Sequence, residues 1–238
     1  MNVYRPETLR RRLPACLRAL RANSPEQARE ILEKTPRLLA DAISALVIGV
    51  TSFFRDPAVF DQLTYSVLPS LFRGATKARI WSAACSDGDE LYSVAILLAE
   101  MNLLHHSYLL GTDARGDAIA KARAGIYAPA ALRAMPEAWL KKYFAREEKS
   151  WRIASTLRTA IQWRTADMTR MCEPGTWDLI LCRNAAMYFC AEAAGKLWEQ
   201  FEHALRPGGY LVLGKAERPA GATRLSCIAP CIYRRDRG

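Results

Sequence analysis

Leucines recur at helical spacing near the start of the chain, and arginines occupy most of the positions between them. Positions 9, 13, 17 and 20 fall on one face, which predicts an amphipathic helix with a basic face. Asn23-Ser24-Pro25 then supplies an N-cap and a first-turn proline for a second helix that runs to about Lys34. A third helix is expected after Pro36, from Arg37 to Val50.

From Lys77 onwards, apolar runs of strand length alternate with amphipathic stretches, which is typical of a mainly parallel sheet with helices on both faces. Helices are expected near residues 89–101, 117–124, 136–144 and 191–205, and two short strands near 224–228 and 231–235. The principal strand candidates are Ala78–Ala83, Tyr108–Thr112, Ala160–Trp163, Trp177–Cys182 and Tyr210–Gly214.

A chain of 238 residues with 50% hydrophobic content can bury a full core. We predict a helical domain over residues 1–50, a connecting segment over 51–76 and an α/β domain over 77–238. The longest apolar run, residues 39–54, is interrupted by polar residues and is too short to cross a bilayer, and no signal peptide is recognisable. The protein is therefore predicted to be cytoplasmic, without membrane insertion.

The seven cysteines form no Cys-x-x-Cys pair, and the chain has only three histidines. Zinc sites usually draw their ligands from such pairs. No metal site is predicted, and the cysteines are interpreted as reduced, mostly buried thiols.

The formal charge of +10 is concentrated at the two ends of the chain. Residues 1–25 hold six arginines and one glutamate, and residues 218–238 hold five arginines and one aspartate. An enzyme acting on nucleic acid usually spreads its basic residues around the cleft, so this distribution argues against such a partner. It favours an acidic protein that docks on Arg10, Arg11, Arg12 and Arg18. The run Arg234-Arg-Asp-Arg237 is interpreted as a solvated tail.

The loop after the first predicted strand of the sheet, residues 84–90, contains three carboxylates and no basic residue. Such a loop would repel a dinucleotide or ATP, because phosphates need bare amides and positive charge. It favours S-adenosylmethionine, whose sulfonium and ammonium groups are cations. Asp113, directly after the second strand, is expected to accept the ribose hydroxyls, with a helix N-cap as the alternative.

Five segments in a fixed order carry a resemblance to a known family. They are Thr51-Ser-Phe-Phe-Arg55, Trp81–Gly88, Gly111-Thr-Asp113, Asp178–Asn184 with Tyr188-Phe189, and Leu205–Gly209. From about residue 9 to residue 233, the chain resembles the CheR-type methyltransferases, which use S-adenosylmethionine to esterify receptor glutamates in bacterial chemotaxis. The resemblance implies an α/β, Rossmann-like class I methyltransferase sheet with a short N-terminal helical domain.

In that family the basic N-terminal helix faces the acidic methyl-accepting helices of the receptor. A chemoreceptor-like helix is therefore the expected partner. The chain is expected to begin partway through the N-terminal domain and to lack its first one or two helices.

The resemblance also implies the residues of the site. Asp167 and Met168 are expected beside the adenine, and Ala83 and Asp89 beside the methionine part. The predicted cofactor-binding residues are Ala83, Gly88, Asp89, Asp113, Asp167, Met168 and Asn184, and the predicted catalytic residues are Thr51, Arg55, Arg183 and Tyr188. The guanidinium of Arg55 can hold one carboxylate oxygen and leave the other free to attack, and a helix-end salt bridge is its alternative.

The chain departs from the family pattern at four of its positions. Asp89 is one methylene shorter than the usual glutamate, and Arg115 stands where a second acid is common. Asp167 replaces an asparagine, and Lys215 replaces a histidine. These changes leave open a different methyl acceptor, such as a small molecule or a non-receptor protein, or a non-catalytic scaffold that binds S-adenosylmethionine.

Tethered members of the family carry a small antiparallel insert that grips a receptor's tail peptide. The stretch Arg146–Arg152 is too short and too charged to form it. The sequence therefore predicts direct recognition of the acceptor, without a tether.

Overall fold

A seven-stranded sheet forms the centre of the protein. The structure is a computed structural model and describes residues 3–46, 51–73, 77–170, 173, 176–220 and 224–237. Its strands are β1 (Ala78–Ala83), β2 (Ser107–Asp113), β3 (Ile126–Tyr127), β4 (Phe144–Glu147), β5 (Ser150–Ile153), β6 (Ile161–Thr165), β7 (Trp177–Cys182), β8 (Leu205–Leu213), β9 (Leu225–Ala229) and β10 (Ile232–Arg235).

The main sheet has the order β6-β2-β1-β7-β8-β10-β9. Strands β6, β2, β1, β7 and β8 are parallel, and β10 runs antiparallel to both β8 and β9. The predicted α/β fold with its closing antiparallel hairpin is therefore confirmed. The carboxyl ends of the parallel strands meet along one edge, where ligands bind in open α/β sheets.

Helices flank the sheet on both faces. They are α1 (Pro6–Leu20), α2 (Pro25–Lys34), α3 (Leu39–Leu46), α4 (Pro57–Gln62), α5 (Leu68–Leu71), α6 (Asp89–Glu100), α7 (Gly116–Ala124), α8 (Glu137–Tyr143), α9 (Ser155–Thr159) and α10 (Ala191–Ala204). A π-helical turn, Leu63–Val67, joins α4 to α5. Within the described residues, no helix combines the length and apolar character that crossing a bilayer requires.

Successive side chains of the central strands point to opposite faces of the sheet, and this alternation divides the apolar core into two layers. In β7, Leu179 and Leu181 belong to the layer that contains α6, while Ile180 and Cys182 belong to the layer that contains α10. All six residues of this strand are buried, because both faces of a parallel sheet are covered.

The first three helices pack around a small separate core that includes Cys16, Leu20 and Ala28. Ser24 caps α2 by accepting a hydrogen bond of 3.2 Å from the amide of Gln27, as predicted. The expected third helix begins later than predicted, because a 3-10 turn occupies Pro36–Leu38. Its predicted end, 47–50, lies outside the described residues, and the boundaries of the three predicted parts stay a prediction.

One of the four arginines predicted to receive the acceptor protein makes a contact within the protein. Arg12 is half-buried, and its Nη2 donates a hydrogen bond of 2.9 Å to the carbonyl oxygen of Ala45 in α3. Its guanidinium therefore ties α1 to α3. Arg10, Arg11 and Arg18 are exposed.

The prediction that the chain lacks an antiparallel insert was wrong. A three-stranded antiparallel sheet of order β3-β5-β4 follows α7. The sequence did not reveal it because β3 is only two residues long, and Arg146–Arg152 contributes just the β4–β5 turn and its flanks.

The interpretation of Arg234–Arg237 as a solvated tail was wrong for its first two residues, whereas Asp236 and Arg237 are exposed and follow the strand. Arg234 and Arg235 are the last residues of β10 and are half-buried.

Candidate active site

A pocket opens at the carboxyl ends of β1, β2, β6 and β7. Its described lining comes from six segments of chain, and eight of the eleven predicted site residues are among its lining residues. The lining residues are Tyr4, Thr51, Ser52, Arg55, Ala84, Cys85, Ser86, Glu90, Asp113, Ala114, Arg115, Ala166, Asp167, Met168, Thr169, Arg183, Asn184, Ala185, Tyr188 and Phe189.

The loop after β1 brings bare backbone to the pocket. Ala84 and Ser86 have φ angles of 57° and 53°, in the left-handed region that residues other than glycine seldom adopt. Such strain persists only where surrounding contacts enforce it, and it is common at binding sites. The amide of Cys85 donates to the carbonyl oxygen of Thr112 at 2.9 Å, which fastens this loop to β2.

Asp113 ends β2 and is buried in the wall of the pocket. Its Oδ2 accepts a hydrogen bond of 2.9 Å from the amide of Ser86, and its Oδ1 accepts one of 2.9 Å from the amide of Arg115. The Nε of Arg115 lies 3.3 Å from the same Oδ1, and both side chains are 8% exposed. The carboxylate is therefore already paired, and Oδ2 retains a lone pair for a further donor.

Arg115 therefore belongs to the pocket although the sequence suggested only a departure from the family pattern. Its Nη2 donates a hydrogen bond of 2.9 Å to Ser86 Oγ, so one guanidinium joins the loop after β1 to Asp113.

Asp167 and Met168 line the wall next to the end of β6. Asp167 Oδ1 accepts hydrogen bonds from the amide and hydroxyl of Thr169, at 2.9 and 2.7 Å. The side chain of Met168 is 8% exposed and provides an apolar surface. An apolar wall beside a fixed carboxylate suits an adenosine, which has a flat ring and polar edges.

The segment Thr51–Arg55 divides its side chains between core and pocket. Phe53 is fully buried, with its ring 4.9 Å from that of Tyr127, and Phe54 lies 5.2 Å from Phe60. Both phenylalanines therefore anchor the segment. Thr51, Ser52 and Arg55 line the pocket instead, and Arg55 is exposed at its rim.

Arg183, after β7, holds the segment in place. Its side chain is 3% exposed. Its Nη2 donates to the carbonyl oxygen of Arg55 at 2.8 Å and to Asp56 Oδ2 at 2.7 Å, and its Nη1 lies 3.3 Å from Glu90 Oε2. Asp56 also lies 2.7 Å from Lys215 Nζ.

Two carboxyl groups around Arg183 have shifted pKa values in opposite directions. Burial alone would raise the pKa of Asp56, but the hydrogen bond from Lys215 and the charges of Arg183, Lys215 and Arg55 lower it. Burial raises the pKa of Glu90, although Arg183 and the hydroxyl of Ser82 oppose the shift.

Glu217 shapes the loop that carries Asn184 and Tyr188. Its Oε2 accepts hydrogen bonds from the amides of Asn184 and Gly214, at 2.9 and 2.7 Å, and its Oε1 accepts one of 3.0 Å from Met187. The glutamate is 3% exposed. It therefore substitutes for strand pairing where β7 and β8 have ended. The sequence analysis considered the segment Gly214-Lys-Ala-Glu217 only for its departure at Lys215 and did not predict this role of Glu217.

The N-terminal segment covers one side of the pocket, which the sequence did not predict. Tyr4 forms an antiparallel bridge with Phe189, and their rings lie 5.2 Å apart at 80°. The amide of Arg5 donates to the carbonyl oxygen of Tyr188 at 2.9 Å. Burial and the charges of Asp167 and Asp113 raise the pKa of Tyr4, and all three residues line the same pocket.

Comparison with known proteins agrees with this geometry. Residues 49–229 match the family described as CheR methyltransferase, SAM binding domain. The chain belongs to the CheR methyltransferase family. It is accordingly an S-adenosylmethionine-dependent methyltransferase, and the predicted resemblance is confirmed.

Several curated relatives extend over most of the chain. The chemotaxis protein methyltransferase of Listeria innocua is 35% identical over 79% of this chain and 72% of its own length. Chemotaxis protein methyltransferase 1 of Pseudomonas aeruginosa is 31% identical over 81% and 76%, respectively. A probable chemotaxis protein methyltransferase of Rhizobium etli is 32% identical over 77% and 73%.

Three residues predicted to bind the cofactor do not line the pocket of this CheR-family chain. Ala83 is fully buried in the core, directly before the lining residue Ala84. Gly88 packs on Trp163 and Ala122, and a Cβ there would lie 2.8 Å from the indole. Asp89 is 1% exposed, and its neighbour Glu90 lines the pocket instead.

Asp89 has an unusual environment. Its Oδ2 has no hydrogen-bond partner among the described residues. Burial raises the pKa of this carboxyl to about 7, and the nearby charges of Asp87 and Glu90 add to the shift. The carboxyl therefore takes up a proton near neutral pH.

Proposed function

We propose that this methyltransferase transfers the methyl group of S-adenosylmethionine to a glutamate side chain of a chemoreceptor-like protein and releases S-adenosylhomocysteine. One observation carries the proposal: the four predicted catalytic residues line the same pocket as two predicted cofactor-binding carboxylates. They are Thr51, Arg55, Arg183 and Tyr188, with Asp113 and Asp167. The first four residues come from two distant segments that the fold brings together.

The residues of the pocket fit S-adenosylmethionine. Asp113 Oδ2 can accept a ribose hydroxyl, Met168 and Tyr4 border the expected adenine position, and Glu90 supplies negative charge for the methionine part. Ala84, Ala114 and Ala166 are small and leave room for the ligand. The bound cofactor supplies an electrophilic methyl group.

A carboxylate acceptor matches the groups at the rim. Methyl transfer to a carboxylate forms a C–O bond and breaks the C–S bond, whose electron pair stays on sulfur. No proton leaves the acceptor, so no general base is required. No histidine or lysine is found among the described residues that line the pocket, which agrees with this chemistry.

Arg55 and Tyr188 would orient the acceptor. The guanidinium of Arg55 is exposed at the rim and can donate to one carboxylate oxygen, leaving the other to attack. Tyr188 can donate one hydrogen bond without adding charge. Alignment of this kind, with exclusion of water, supplies most of the acceleration in a displacement between an anion and a cation.

Arg183 is a positioning residue in this proposal. Its guanidinium donates hydrogen bonds to the carbonyl oxygen of Arg55 and to the carboxylates of Asp56 and Glu90. Both of its Nη atoms therefore already have partners within the protein. It would therefore act by holding Arg55 in place.

The basic helix α1 is suited to receive the acceptor protein. It starts at Pro6, two residues after the pocket residue Tyr4, so its first turns, which carry Arg10 and Arg11, directly follow the segment that covers one side of the pocket. Arg10, Arg11 and Arg18 would attract an acidic helix and raise its encounter rate.

The nature of the product tests the proposal. Purified protein is incubated with methyl-labelled S-adenosylmethionine and chemoreceptor cytoplasmic fragments, and the labelled product is treated briefly with alkali. A carboxyl methyl ester releases volatile labelled methanol, whereas N-methyl and ether products keep the label. Base-stable label on the main product would instead support another acceptor.

Two substitutions test the assigned roles. Arg55→Ala and Tyr188→Phe are expected to lower kcat at least tenfold while the Kd for S-adenosylhomocysteine changes less than threefold, because their contacts are to the acceptor. Arg133→Ala, at an exposed position away from the pocket, is the control. Wild-type turnover at saturating acceptor would remove the residue concerned from the mechanism.

A further inference from the structure

A second cavity, of about 320 Å³, lies between α5 and the start of β8. Four arginines line it, Arg73, Arg206, Arg234 and Arg237, together with Ser70 and Tyr210. They come from three separate parts of the chain, so the cavity is a product of the fold. Arg234 and Arg237 belong to the C-terminal basic run that the function described above does not use.

Most of this positive charge is not neutralised by the protein. Arg206 pairs with Asp178, with Nε and Oδ1 2.7 Å apart. Arg73, Arg234 and Arg237 form no ion pair with any carboxylate of the described residues. The Nε of Arg234 is buried and has no hydrogen-bond partner there. Buried donors without partners cost free energy, which an anionic ligand would recover.

Two of the four guanidinium groups, those of Arg234 and Arg237, converge on Gly208. A Cβ placed on Gly208 would lie 3.2 Å from Arg237 Nε and 3.6 Å from Arg234 Nη2. Arg234 is held over the ring of Tyr210, at 5.9 Å from its centroid. The hydroxyls of Tyr210 and Ser70 are 2.9 Å apart and add polar groups to the same cavity.

This cavity is separate from the methyl-transfer pocket. The two share no lining residue. Gly208 and Tyr210 precede the end of β8 at Leu213, whereas the methyl-transfer pocket lies at the carboxyl ends of the parallel strands. The arginine cavity therefore opens near the opposite, amino-terminal edge of the sheet.

We propose that the arginine cavity binds a small molecule carrying two or more phosphate groups. Guanidinium groups pair with phosphate oxygens in a bidentate manner, and three unpaired arginines match the charge of a polyphosphate chain better than that of a single carboxylate. A concave site with converging arginines fits a compact ligand, whereas a nucleic acid would need an extended basic surface.

Calorimetric titration with sodium tripolyphosphate tests the site directly. The full chain is expected to bind one equivalent, and the affinity should fall as salt concentration rises. The double variant Arg73→Gln/Arg234→Gln should bind at least tenfold more weakly. The matched control Arg37→Gln/Arg133→Gln removes the same charge from exposed positions elsewhere and should stay within twofold of wild type. Equal losses in both variants, or no loss in the first, would overturn the proposal.

Two further measurements distinguish binding in the arginine cavity from binding in the methyl-transfer pocket and from a damaged fold. The titration is repeated with saturating S-adenosylhomocysteine, and abolished tripolyphosphate binding would place the probe in the methyl-transfer pocket and defeat the proposal. Each variant is also titrated with S-adenosylhomocysteine, whose unchanged Kd shows an intact fold. Arg234→Lys keeps the charge but not the bidentate geometry, so it should bind with intermediate affinity.

Discussion

Asp113 was predicted to accept both ribose hydroxyls, but in the structure it is already bonded to Arg115 and to the amide of Ser86. Its two roles are compatible, because each carboxylate oxygen accepts more than one hydrogen bond. Asp113 would then bind ribose through Oδ2 while holding the loop after β1. Because Arg115 pairs with Asp113, the positive charge at position 115 offsets part of the negative charge that Asp113 presents to the cofactor.

Replacing Asp113 should therefore weaken cofactor binding. Asp113→Ala is expected to raise the Kd for S-adenosylmethionine at least tenfold, since a hydrogen bond to a charged group contributes roughly 1.5–3 kcal/mol. Calorimetry measures the change, and Asp61→Ala, at an exposed site, serves as the control. An unchanged Kd would exclude Asp113 from the ribose site.

The buried carboxyl of Asp89 predicts a specific pH dependence of stability. Its pKa in the folded protein is about 7, above the ordinary value of 3.8, so the folded state binds more protons than the unfolded state between these values. The free energy of unfolding should therefore decrease as pH rises from 4 to 7. Asp89→Asn, which cannot ionise, should be more stable than wild type at pH 8 by up to about 4 kcal/mol, since each pKa unit corresponds to about 1.4 kcal/mol.

Urea unfolding at pH 5 and pH 8 measures this difference, with Asp61→Asn as the exposed control. If Asp89→Asn and wild type lose the same stability between the two pH values, Asp89 does not titrate in this range.

Sequence patterns predicted eight of the residues that line the pocket, but not the side chains that these residues contact. The carboxyl ends of β1, β2 and β7 follow from the hydrophobic runs, so the positions of Asp113 and Arg183 could be predicted. The pairing of Asp113 with Arg115, and of Arg183 with Asp56, depends on side-chain directions that no spacing rule encodes. Asp89 and Glu90 are adjacent, and only the start of α6 decides which one faces the pocket.

At the scale of elements, strands β1 and β7 were the easiest to predict. The bounds of β1 and β7 match the prediction because continuous apolar runs mark strands covered on both faces. The insert β3-β5-β4 was missed, since its strands are short and exposed on one side. The bridge at Tyr4 was missed for a similar reason: a single residue pair leaves no periodic pattern.

This bridge predicts that the N-terminal segment contributes to cofactor binding. Tyr4→Ala should raise the Kd for S-adenosylhomocysteine several-fold, because it removes an aromatic wall of the pocket, whereas Tyr4→Phe should have a smaller effect. Calorimetry compares both with Tyr65→Ala, an exposed tyrosine of the π-helical turn. Equal affinities for Tyr4→Ala and wild type would show that the segment packs on the pocket without binding the ligand.

Helix α1 predicts a dependence on ionic strength. Replacing Arg10, Arg11 and Arg18 by glutamine should raise the KM for a protein acceptor at low salt and flatten its salt dependence, because exposed charges act mainly on encounter. Initial rates at several salt concentrations measure the effect. Arg29, Arg37 and Arg133, replaced together, provide a control of equal charge. An equal rise in KM at low and high salt would contradict the assignment of these three arginines to acceptor docking.

At the scale of the whole molecule, the active site joins parts of the chain that are distant in sequence. Arg183 connects the end of β7 to residues 55 and 56 and to Glu90 at the start of α6. Glu217 and Tyr4 connect the following loop to the end of β8 and to the N-terminal segment. Folding of the sheet and assembly of the site are therefore coupled.

This coupling predicts a large effect on stability from one substitution. Arg183→Met should lower the free energy of unfolding by about 3–5 kcal/mol, because it leaves the buried carboxylate of Glu90 without its cation. It should also lower turnover, since Arg55 loses the hydrogen bond to its carbonyl oxygen. Urea unfolding and initial rates measure the two effects, with the exposed Arg133→Met as control.

The double variant Arg183→Met/Glu90→Gln separates the two effects. Removing the unpaired carboxylate should restore much of the lost stability, because the penalty of a buried lone charge disappears. Turnover should remain low, since Arg55 would still lack its support. Because Glu90 also lines the pocket, turnover is compared with that of Glu90→Gln alone. Turnover equal to that of Glu90→Gln would mean that Arg183 acts only through the stability of the fold, whereas restored stability with turnover well below that of Glu90→Gln would establish Arg183 as the residue that positions Arg55.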